Sequence, residues 1–386
     1  MIYRSDLIKQ VEGGLAVNPG VVLLGPRQCG KTTLARHIAG QKGAAFFDLE
    51  NPEDAAALAQ PMMMLSPLRG VVVLDEVQRS PEIFSCLRVL MDRPGVPARF
   101  LLLGSASPHL VHGVTESLAG RVAFVDMQGF SLSEIDSSEQ ERLWIRGGFP
   151  RSFLAEGEGE SLAWRKDFIR TFIEKDFASL GLGFTPSSLG RLWQMTAHFH
   201  GQILNASEIG RSLGESYKTV QRHLEMLEGA FMVRRLRPWF VNDRKRLIKS
   251  PKVFVRDSGL LHGLLGVGDR RSLLGHPKVG ASWEGFALEQ MLACLPRADA
   301  WFWGTQGGAE LDLFVQPNGR RIGFEFKVGD APKTTKSMAV ALVDLQLEEL
   351  IVVKPAGRDY ALAPKIRAMS LQSATAYARG LLLEAG

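Results

Sequence analysis

The sequence predicts an α/β protein that begins with a parallel sheet flanked by helices and continues into two further modules. Three observations lead to this expectation. Apolar runs that end in glycine or in carboxylates recur through the first 150 residues, as in strands buried on both faces. A helix-turn-helix pattern with a basic segment follows, and the last third combines a helix with short strand patterns. The 386 residues suffice for two or three domains.

The composition is that of a soluble globular chain, with 45% hydrophobic and 23% charged residues. We expect a cytoplasmic protein without membrane contact, because no apolar run approaches the ~20 residues that span a bilayer and no signal-peptide stretch opens the chain. The three cysteines, Cys29, Cys86 and Cys294, are scattered. Their spacing argues against a disulfide framework and against a zinc site.

Residues 21–33 read VVLLGPRQCGKTT, an apolar strand run that breaks into a glycine loop. The loop fits the pattern Gly-x-x-x-x-Gly-Lys-[Ser/Thr], in which Lys31 reaches the phosphates of ATP and the Thr32 hydroxyl ligates Mg²⁺. A helix predicted from Thr33 would put the loop at a helix N-terminus, which favours anions. A turn with incidental glycines is the alternative. The predicted nucleotide-binding residues are Gly25, Pro26, Arg27, Gln28, Cys29, Gly30, Lys31, Thr32 and Thr33.

Four more strands are predicted in the first domain, at 44–50, 71–76, 99–104 and 122–126. The second of these ends in two carboxylates. Asp75 is placed to hold Mg²⁺ beside Thr32, and Glu76 to polarise the water that attacks the γ-phosphate. Ser105 follows the next strand and is the candidate to reach the γ-phosphate or that water. The alternative for the carboxylates is a pair on an ordinary surface.

These segments resemble a known family. GPRQCGKTT, FDLENPED, VVVLDEVQ, LLLGSAS and SLAGR, in this order, resemble the bacterial and archaeal AAA-type ATPases of the AAA_14 group, which usually carry a C-terminal DUF4143 region. The resemblance implies an AAA/RecA-like P-loop domain with a five-stranded parallel sheet, with Asp75 and Glu76 as magnesium and catalytic acids and Ser105 as sensor. Arg121 matches the family's Gly-Arg, a sensor or an arginine finger to a neighbouring subunit, so a homo-oligomer is expected. The alternative for Arg121 is a surface cation.

The middle of the chain predicts a winged helix-turn-helix. Two helical patterns, 206–210 and 217–231, flank a Gly-Glu-Ser turn. A β-hairpin pattern follows, with strands at 232–241 and 252–255 on either side of a basic loop at 242–251. Residues 218–252 contain ten basic and three acidic residues, a local charge of +7, which suggests a polyanion partner such as DNA. A protein-binding module with a solvated basic face is the alternative. The predicted DNA contacts are Lys218, Arg222, His223, Arg244, Lys245 and Arg246.

The C-terminal part carries acids in a second pattern. A helix at 282–295 contains Glu284, and strands at 310–315 and 321–327 carry Asp312, Glu325 and Lys327. Two carboxylates for a divalent ion with a lysine nearby are what phosphodiester hydrolysis needs. The pattern resembles the PD-(D/E)xK, restriction-endonuclease-like fold, with Asp312 and Glu325 as metal ligands and Glu284 as its helix acid, although leucine and not proline precedes Asp312. A module that only binds or assembles, or an exposed strand of alternating charge, is the alternative.

The sequence therefore predicts an ATPase domain at 1–150, a helical linker with a winged helix at 151–270, and a nuclease-like module at 271–386. The predicted function is that of an ATP-hydrolysing, oligomeric, DNA-acting switch or motor in repair, recombination or defence, in which nuclease activity is left open. One alternative is a nucleotide-gated DNA-binding or regulatory protein with a catalytically silent C-terminal module. A second is an ATP-dependent assembly factor for protein partners.

Overall fold

The computed structural model of the protein describes residues 2–105, 114, 116–176, 185–240, 247–295, 298–329 and 331–383. The chain forms two compact units, the first made of residues 1–130 and 226–232 and the second of residues 131–225 and 233–386. None of the helices in the described ranges combines the length and apolarity that crossing a membrane requires.

The first unit contains a five-stranded sheet in which every neighbouring pair is parallel, in the order β2-β3-β4-β1-β5. This confirms the predicted α/β class and its parallel sheet, and the strand ends lie within two residues of the predicted ones. The strands are β1 (Gly20–Gly25), β2 (Ala45–Asp48), β3 (Gly70–Asp75), β4 (Ala98–Ser105) and β5 (Val122–Asp126).

Strand β1 is apolar throughout because both of its faces are covered. Its side chains alternate between faces, so Val21 and Leu23 join one buried cluster while Val22 and Leu24 join the other. Each such side chain contributes about 1.5–3 kcal/mol by leaving water. The helices around the sheet are α1 (Ser5–Val17), α2 (Lys31–Lys42), α3 (Pro52–Ala57), α4 (Pro61–Leu65) and α5 (Ile83–Met91).

The helices that follow along the chain are α6 (Gln140–Arg146), α7 (Pro150–Phe153), α8 (Glu158–Thr171, continued by a π-helical turn Phe172–Asp176), α9 (Pro186–His198), α10 (Ala206–Leu213), α11 (Tyr217–Gly229), α12 (Ser258–Leu265), α13 (Arg270–Leu274), α14 (Val279–Cys294), α15 (Lys336–Asp344) and α16 (Leu371–Leu383). Asn205 caps α10 by accepting a hydrogen bond from the Glu208 N–H at 3.1 Å. The left-handed Gly214 ends the same helix.

A small antiparallel sheet in the second unit has the order β6-β8-β7. Its strands are β6 (Gln202–Ile203), β7 (Val233–Leu236) and β8 (Lys252–Val255). The predicted hairpin strand at 232–241 was too long. From Arg237 onward the backbone leaves β8 and bonds elsewhere, with the Trp239 N–H donating to the Phe302 carbonyl at 2.7 Å.

The second unit also holds a six-stranded mixed sheet in the order β13-β14-β12-β11-β10-β9. Strands β9 to β11 are antiparallel neighbours, whereas β11, β12 and β14 run parallel. Helix α14 precedes this sheet in the chain and α15 connects β11 to β12. The strands are β9 (Ala300–Gly304), β10 (Glu310–Val315), β11 (Ile322–Phe326), β12 (Glu349–Lys354), β13 (Tyr360–Ala363) and β14 (Ile366–Ser370).

Candidate functional site

The glycine loop connects β1 directly to α2. Gly25 ends the strand, and a Cβ at this position would collide with the Met127 carbonyl oxygen. Gly30, with φ at 101°, occupies the left-handed region immediately before α2 begins at Lys31. Both glycines are therefore required by the backbone. The N–H groups of the first turn of α2 have no helical partner, so they are available to an anion.

Lys31 points into the loop. The residue is only 5% exposed, and its ammonium donates to the carbonyl oxygens of Gly25 at 3.0 Å and Pro26 at 2.9 Å. The loop thus curves around a positive charge, at the place where the sequence pattern puts phosphate oxygens.

Thr32 and Asp75 are in direct contact. The Thr32 hydroxyl donates to the Asp75 carboxylate at 2.7 Å, and Asp75 is 2% exposed at the end of β3. Burial raises the pKa of Asp75, and the charges of Glu76 and Asp48 raise it further, against the Thr32 hydrogen bond that lowers it. A nearby cation would offset the cost of keeping the buried Asp75 carboxylate ionised. The two oxygen ligands fit a hydrated Mg²⁺, which keeps several of its own waters.

Glu76 follows Asp75 in a strained backbone conformation. Its φ of 53° and ψ of 42° are left-handed, which is uncommon for a residue with a side chain and costs about 1 kcal/mol or more. Its N–H donates to Asp75 at 2.9 Å, its carbonyl accepts from the Arg79 N–H at 3.0 Å, and its carboxylate accepts from Gln78. Strain that is maintained by specific contacts is typical of functional sites. Gln78 is a positioning partner that the sequence reasoning missed, although it stands in the quoted VVVLDEVQ segment.

Arg4 supports the loop from behind and was also missed. The residue is only 7% exposed, and its guanidinium donates to the carbonyls of Cys29 at 3.2 Å, Gln128 at 3.0 Å and Gly129 at 2.8 Å. It therefore ties the loop to the segment that follows β5. A single arginine near the N-terminus carries no sequence signal for this role.

The two predicted partners of the nucleotide outside the loop are placed differently. Ser105 is the last residue of β4, and its side chain lies outside what the structure describes. Arg121 stands immediately before β5, where Val122 pairs with Gly20 at the start of β1. It forms a bidentate pair with Asp92, at 2.7 Å from Nε and 2.6 Å from Nη2. The loop follows the other end of β1, about 17 Å away for five residue steps at the rise of a strand.

The acids of the C-terminal module converge. Asp312 on β10 accepts from the Phe326 N–H at 2.9 Å, and Glu325 on β11 accepts from the Lys327 ammonium at 2.7 Å. A lysine outside the predicted set also lies here. Lys252 on β8 contacts Glu284 at 2.9 Å, Asp312 at 3.4 Å, and Glu310.

Burial dominates the electrostatics of this acidic group. It raises the pKa of Glu284 to about 8 and that of Glu325 to about 7, and in both cases the Asp312 charge adds to the increase. Burial alone would lower the pKa of Lys252, but the carboxylates outweigh it and raise that pKa well above its ordinary value. Four carboxyl groups face two ammonium groups here, and the raised pKa values of Glu284 and Glu325 reduce the negative charge that this imbalance would otherwise produce. Across the described residues, no three His, Cys, Asp or Glu side chains are arranged to hold a metal ion.

The predicted DNA contacts fall into three classes. Lys218 and Arg222 are exposed and one turn apart on α11. His223 was wrongly expected to face a groove: it is 1% exposed, and burial lowers its pKa. The remaining contacts, Arg244, Lys245 and Arg246, lie outside the described residues.

The basic excess at 218–252 is partly neutralised inside the protein. Arg234 pairs with the buried Glu289, which Arg256 also contacts, and Lys252 pairs with the acids described above. Burial alone would raise the pKa of Glu289, but Arg234 and Arg256 lower it to about 2. Arg234 and Lys252, two of the described basic residues of this window, therefore have acidic partners outside it.

Comparison with known proteins finds three adjacent family models along the chain. Residues 17–136 match the AAA domain model AAA_14, residues 137–271 match a domain of unknown function (DUF8612), and residues 279–374 match a domain of unknown function (DUF4143).

Whole-length relatives exist in mycobacteria. The uncharacterized proteins Rv2008c of Mycobacterium tuberculosis and Mb2031c of Mycobacterium bovis are each 48% identical to this chain over 369 residues, covering 96% of this chain and 84% of the relative. Among solved structures, the Walker-type ATPase paby2304 of Pyrococcus abyssi matches with a TM-score of 0.50 at 14% identity, covering 69% of this chain and 96% of that chain. That similarity concerns the fold alone.

Proposed function

The chain belongs to the family of these mycobacterial proteins, which joins an AAA domain to a DUF4143 region, and on this premise we propose that it is a magnesium-dependent ATPase. The observation that carries the proposal is the contact between the Thr32 hydroxyl and the Asp75 carboxylate. It brings a loop residue and a strand-end acid together beside the buried Lys31. This is the arrangement that binding a nucleotide triphosphate with its metal ion requires.

The geometry supports a separate role for each of these residues. Lys31 and the first N–H groups of α2 bind phosphate oxygens, and Thr32 with Asp75 holds the hydrated ion, which when bound neutralises phosphate charge. Glu76 orients and polarises the attacking water, and Gln78 fixes the direction of the Glu76 carboxylate. Arg4 keeps the loop in register with the segment after β5.

We further propose that Arg121 acts on a neighbouring subunit. Its place at the amino-terminal edge of the sheet puts it too far from its own loop for its side chain to reach. Its bidentate pair with Asp92 is on the surface, where a partner subunit could take it over. In the proposed homo-oligomer, Arg121 of one subunit completes the ATP site of its neighbour.

We propose that the protein binds DNA and that ATP hydrolysis is coupled to this binding. The order β6-α10-α11-β7-β8 with an antiparallel sheet supports a winged helix-turn-helix. Lys218 and Arg222 on the exposed side of α11 support contact with phosphates. In this proposal ATP changes the geometry between subunits, and the winged helix transmits that change to the bound DNA.

For the C-terminal module we propose the restriction-endonuclease-like fold. The succession α14, β9, β10, β11, α15, β12 supports it, as does the convergence of Glu284, Asp312 and Glu325. The presence of Lys252 among these acids favours a silent module over an active nuclease. An assembly factor for protein partners is the competing function.

The first prediction separates nucleotide binding from hydrolysis. Lys31→Ala should abolish ATP binding, because the loop loses its phosphate cation. Glu76→Gln should keep ATP affinity and lower turnover about 10²–10⁴-fold, since only the base is lost. Calorimetric ATP titration and steady-state turnover measure the two effects. Lys42→Ala and Glu53→Gln are matched controls at exposed or half-exposed positions. Equal loss of ATP affinity in Lys31→Ala and Glu76→Gln would refute the assignment.

The second prediction concerns the oligomer. Arg121→Ala and Glu76→Gln proteins should each be inactive, and oligomers assembled from equal amounts of both should recover about a quarter of wild-type turnover, because half of the sites keep Glu76 and half of those face an intact Arg121. Asp92→Asn should remain active, since it only frees Arg121. If mixed oligomers form but turn over no ATP, Arg121 does not act between subunits.

The third prediction concerns DNA. Replacing Lys218 and Arg222 together by Ala should weaken binding to all sequences alike and reduce the slope of log affinity against log salt by about 2, as expected for two lost phosphate contacts. Fluorescence anisotropy over a salt series measures this slope. Lys333→Ala with Lys336→Ala removes the same charge from exposed positions of the C-terminal module and should leave it unchanged. Identical slopes for both double variants would place the DNA surface elsewhere.

A further inference from the structure

The nuclease-like resemblance implies a divalent ion between Asp312 and Glu325. Such an ion requires open carboxylate oxygens as ligands. Asp312 has a partner at each oxygen: Oδ2 accepts from the Phe326 N–H at 2.9 Å, and Oδ1 faces the Lys252 ammonium at 3.4 Å. The Glu284 oxygen that points to the same place also binds Lys252, at 2.9 Å. The space between these carboxylates is therefore taken by a cation that belongs to the chain.

Lys252 is held there by its backbone as well as by its charge. It opens the central strand of the small sheet and pairs with Ile203 on one side and Leu236 on the other. Its side chain is 3% exposed, and its ammonium lies 5.7 Å from the centre of the Phe302 ring. A buried ammonium without carboxylates would be strongly unfavourable, so lysine and acids depend on each other.

Glu325 has only one carboxylate oxygen that could bind a metal ion. Its Oε1 accepts from Lys327 at 2.7 Å, while its buried Oε2 has no hydrogen-bond partner among the described residues. Asp312 and Glu325, the two predicted metal ligands, thus keep one open carboxylate oxygen between them. That is fewer than the ligands by which proteins hold Mg²⁺ or Mn²⁺ when no substrate phosphate contributes. The side chains present thus do not fit the implied ion.

We propose that the ammonium of Lys252 is the resident cation of the acidic cluster formed by Glu284, Glu310 and Asp312, and that this cluster takes up no divalent ion in the folded protein. The cluster then fastens β8 to α14 and β10, and the C-terminal module is a structural element and not a nuclease. This inference is independent of the ATPase proposal, because it concerns the second unit alone.

The experiment compares metal responses in an Asp75→Asn background, which removes the acid that would hold an ion in the first unit. Thermal unfolding of the full chain is followed with and without millimolar Mn²⁺, and Mn²⁺ binding is measured by calorimetry. With Lys252 in place, Mn²⁺ should neither bind nor stabilise. A response that disappears on Asp312→Asn would overturn the proposal. A response that survives Asp312→Asn arises elsewhere and leaves the cluster free of metal, as proposed.

Lys252→Met tests whether a metal ion can replace the missing ammonium. Without its ammonium the cluster should lower the unfolding temperature by about 10 °C, the order expected for a buried charge that loses its partner. Mn²⁺ should then restore much of that loss. Lys354→Met is the matched control, since Lys354 is equally buried but donates to the Ala356 carbonyl and not to carboxylates. If Mn²⁺ restores neither variant, or both alike, the ammonium does not stand in for an ion. Should Lys252→Met fail to fold, Lys252→Arg with unchanged stability and no Mn²⁺ response supports the proposal, and an Mn²⁺ response contradicts it.

Discussion

The hydrogen bond from Thr32 to Asp75 depends on the whole architecture of the first unit and in turn defines its site. Strands β1 and β3 are not neighbours, because β4 lies between them. The two residues meet only because all strands run parallel, so that the loop after β1 and the acid that ends β3 lie at one edge of the sheet. The chain places a buried lysine, a hydroxyl and two carboxylates at that edge. Everything proposed about ATP rests on this convergence.

Local patterns predicted the first unit well, because its signals are local. The apolar runs of β1, β3 and β4 identify strands buried on both faces, and the glycine loop is recognisable from thirteen consecutive residues. What sequence could not predict is the support behind the site. Arg4 ties the loop carbonyl of Cys29 to the carbonyls of Gln128 and Gly129, which lie more than a hundred residues from Arg4 in sequence, and carbonyls leave no trace in a sequence.

The second unit was less predictable because its charges find partners across the fold. The positive charge of Lys252 contributed to the basic segment that suggested a DNA partner. Its side chain, however, is buried among acids from α14 and β10. The turn at Gly147 and Gly148 likewise depends on a residue that is distant in sequence. Gly147 has φ at 76° and ψ at 179°, and a Cβ there would collide with the Asp257 carboxylate, which accepts from the Gly148 N–H at 2.8 Å.

The central claim, an ATPase whose cycle is coupled to DNA, is tested most directly by steady-state ATP turnover of the full chain with and without single-stranded, duplex and branched DNA at one low salt concentration. Heparin serves as a polyanion that has charge but no bases. The account predicts that at least one form of DNA raises turnover severalfold and that heparin does not. Turnover that is the same with every DNA and without any would contradict it and would favour a protein partner.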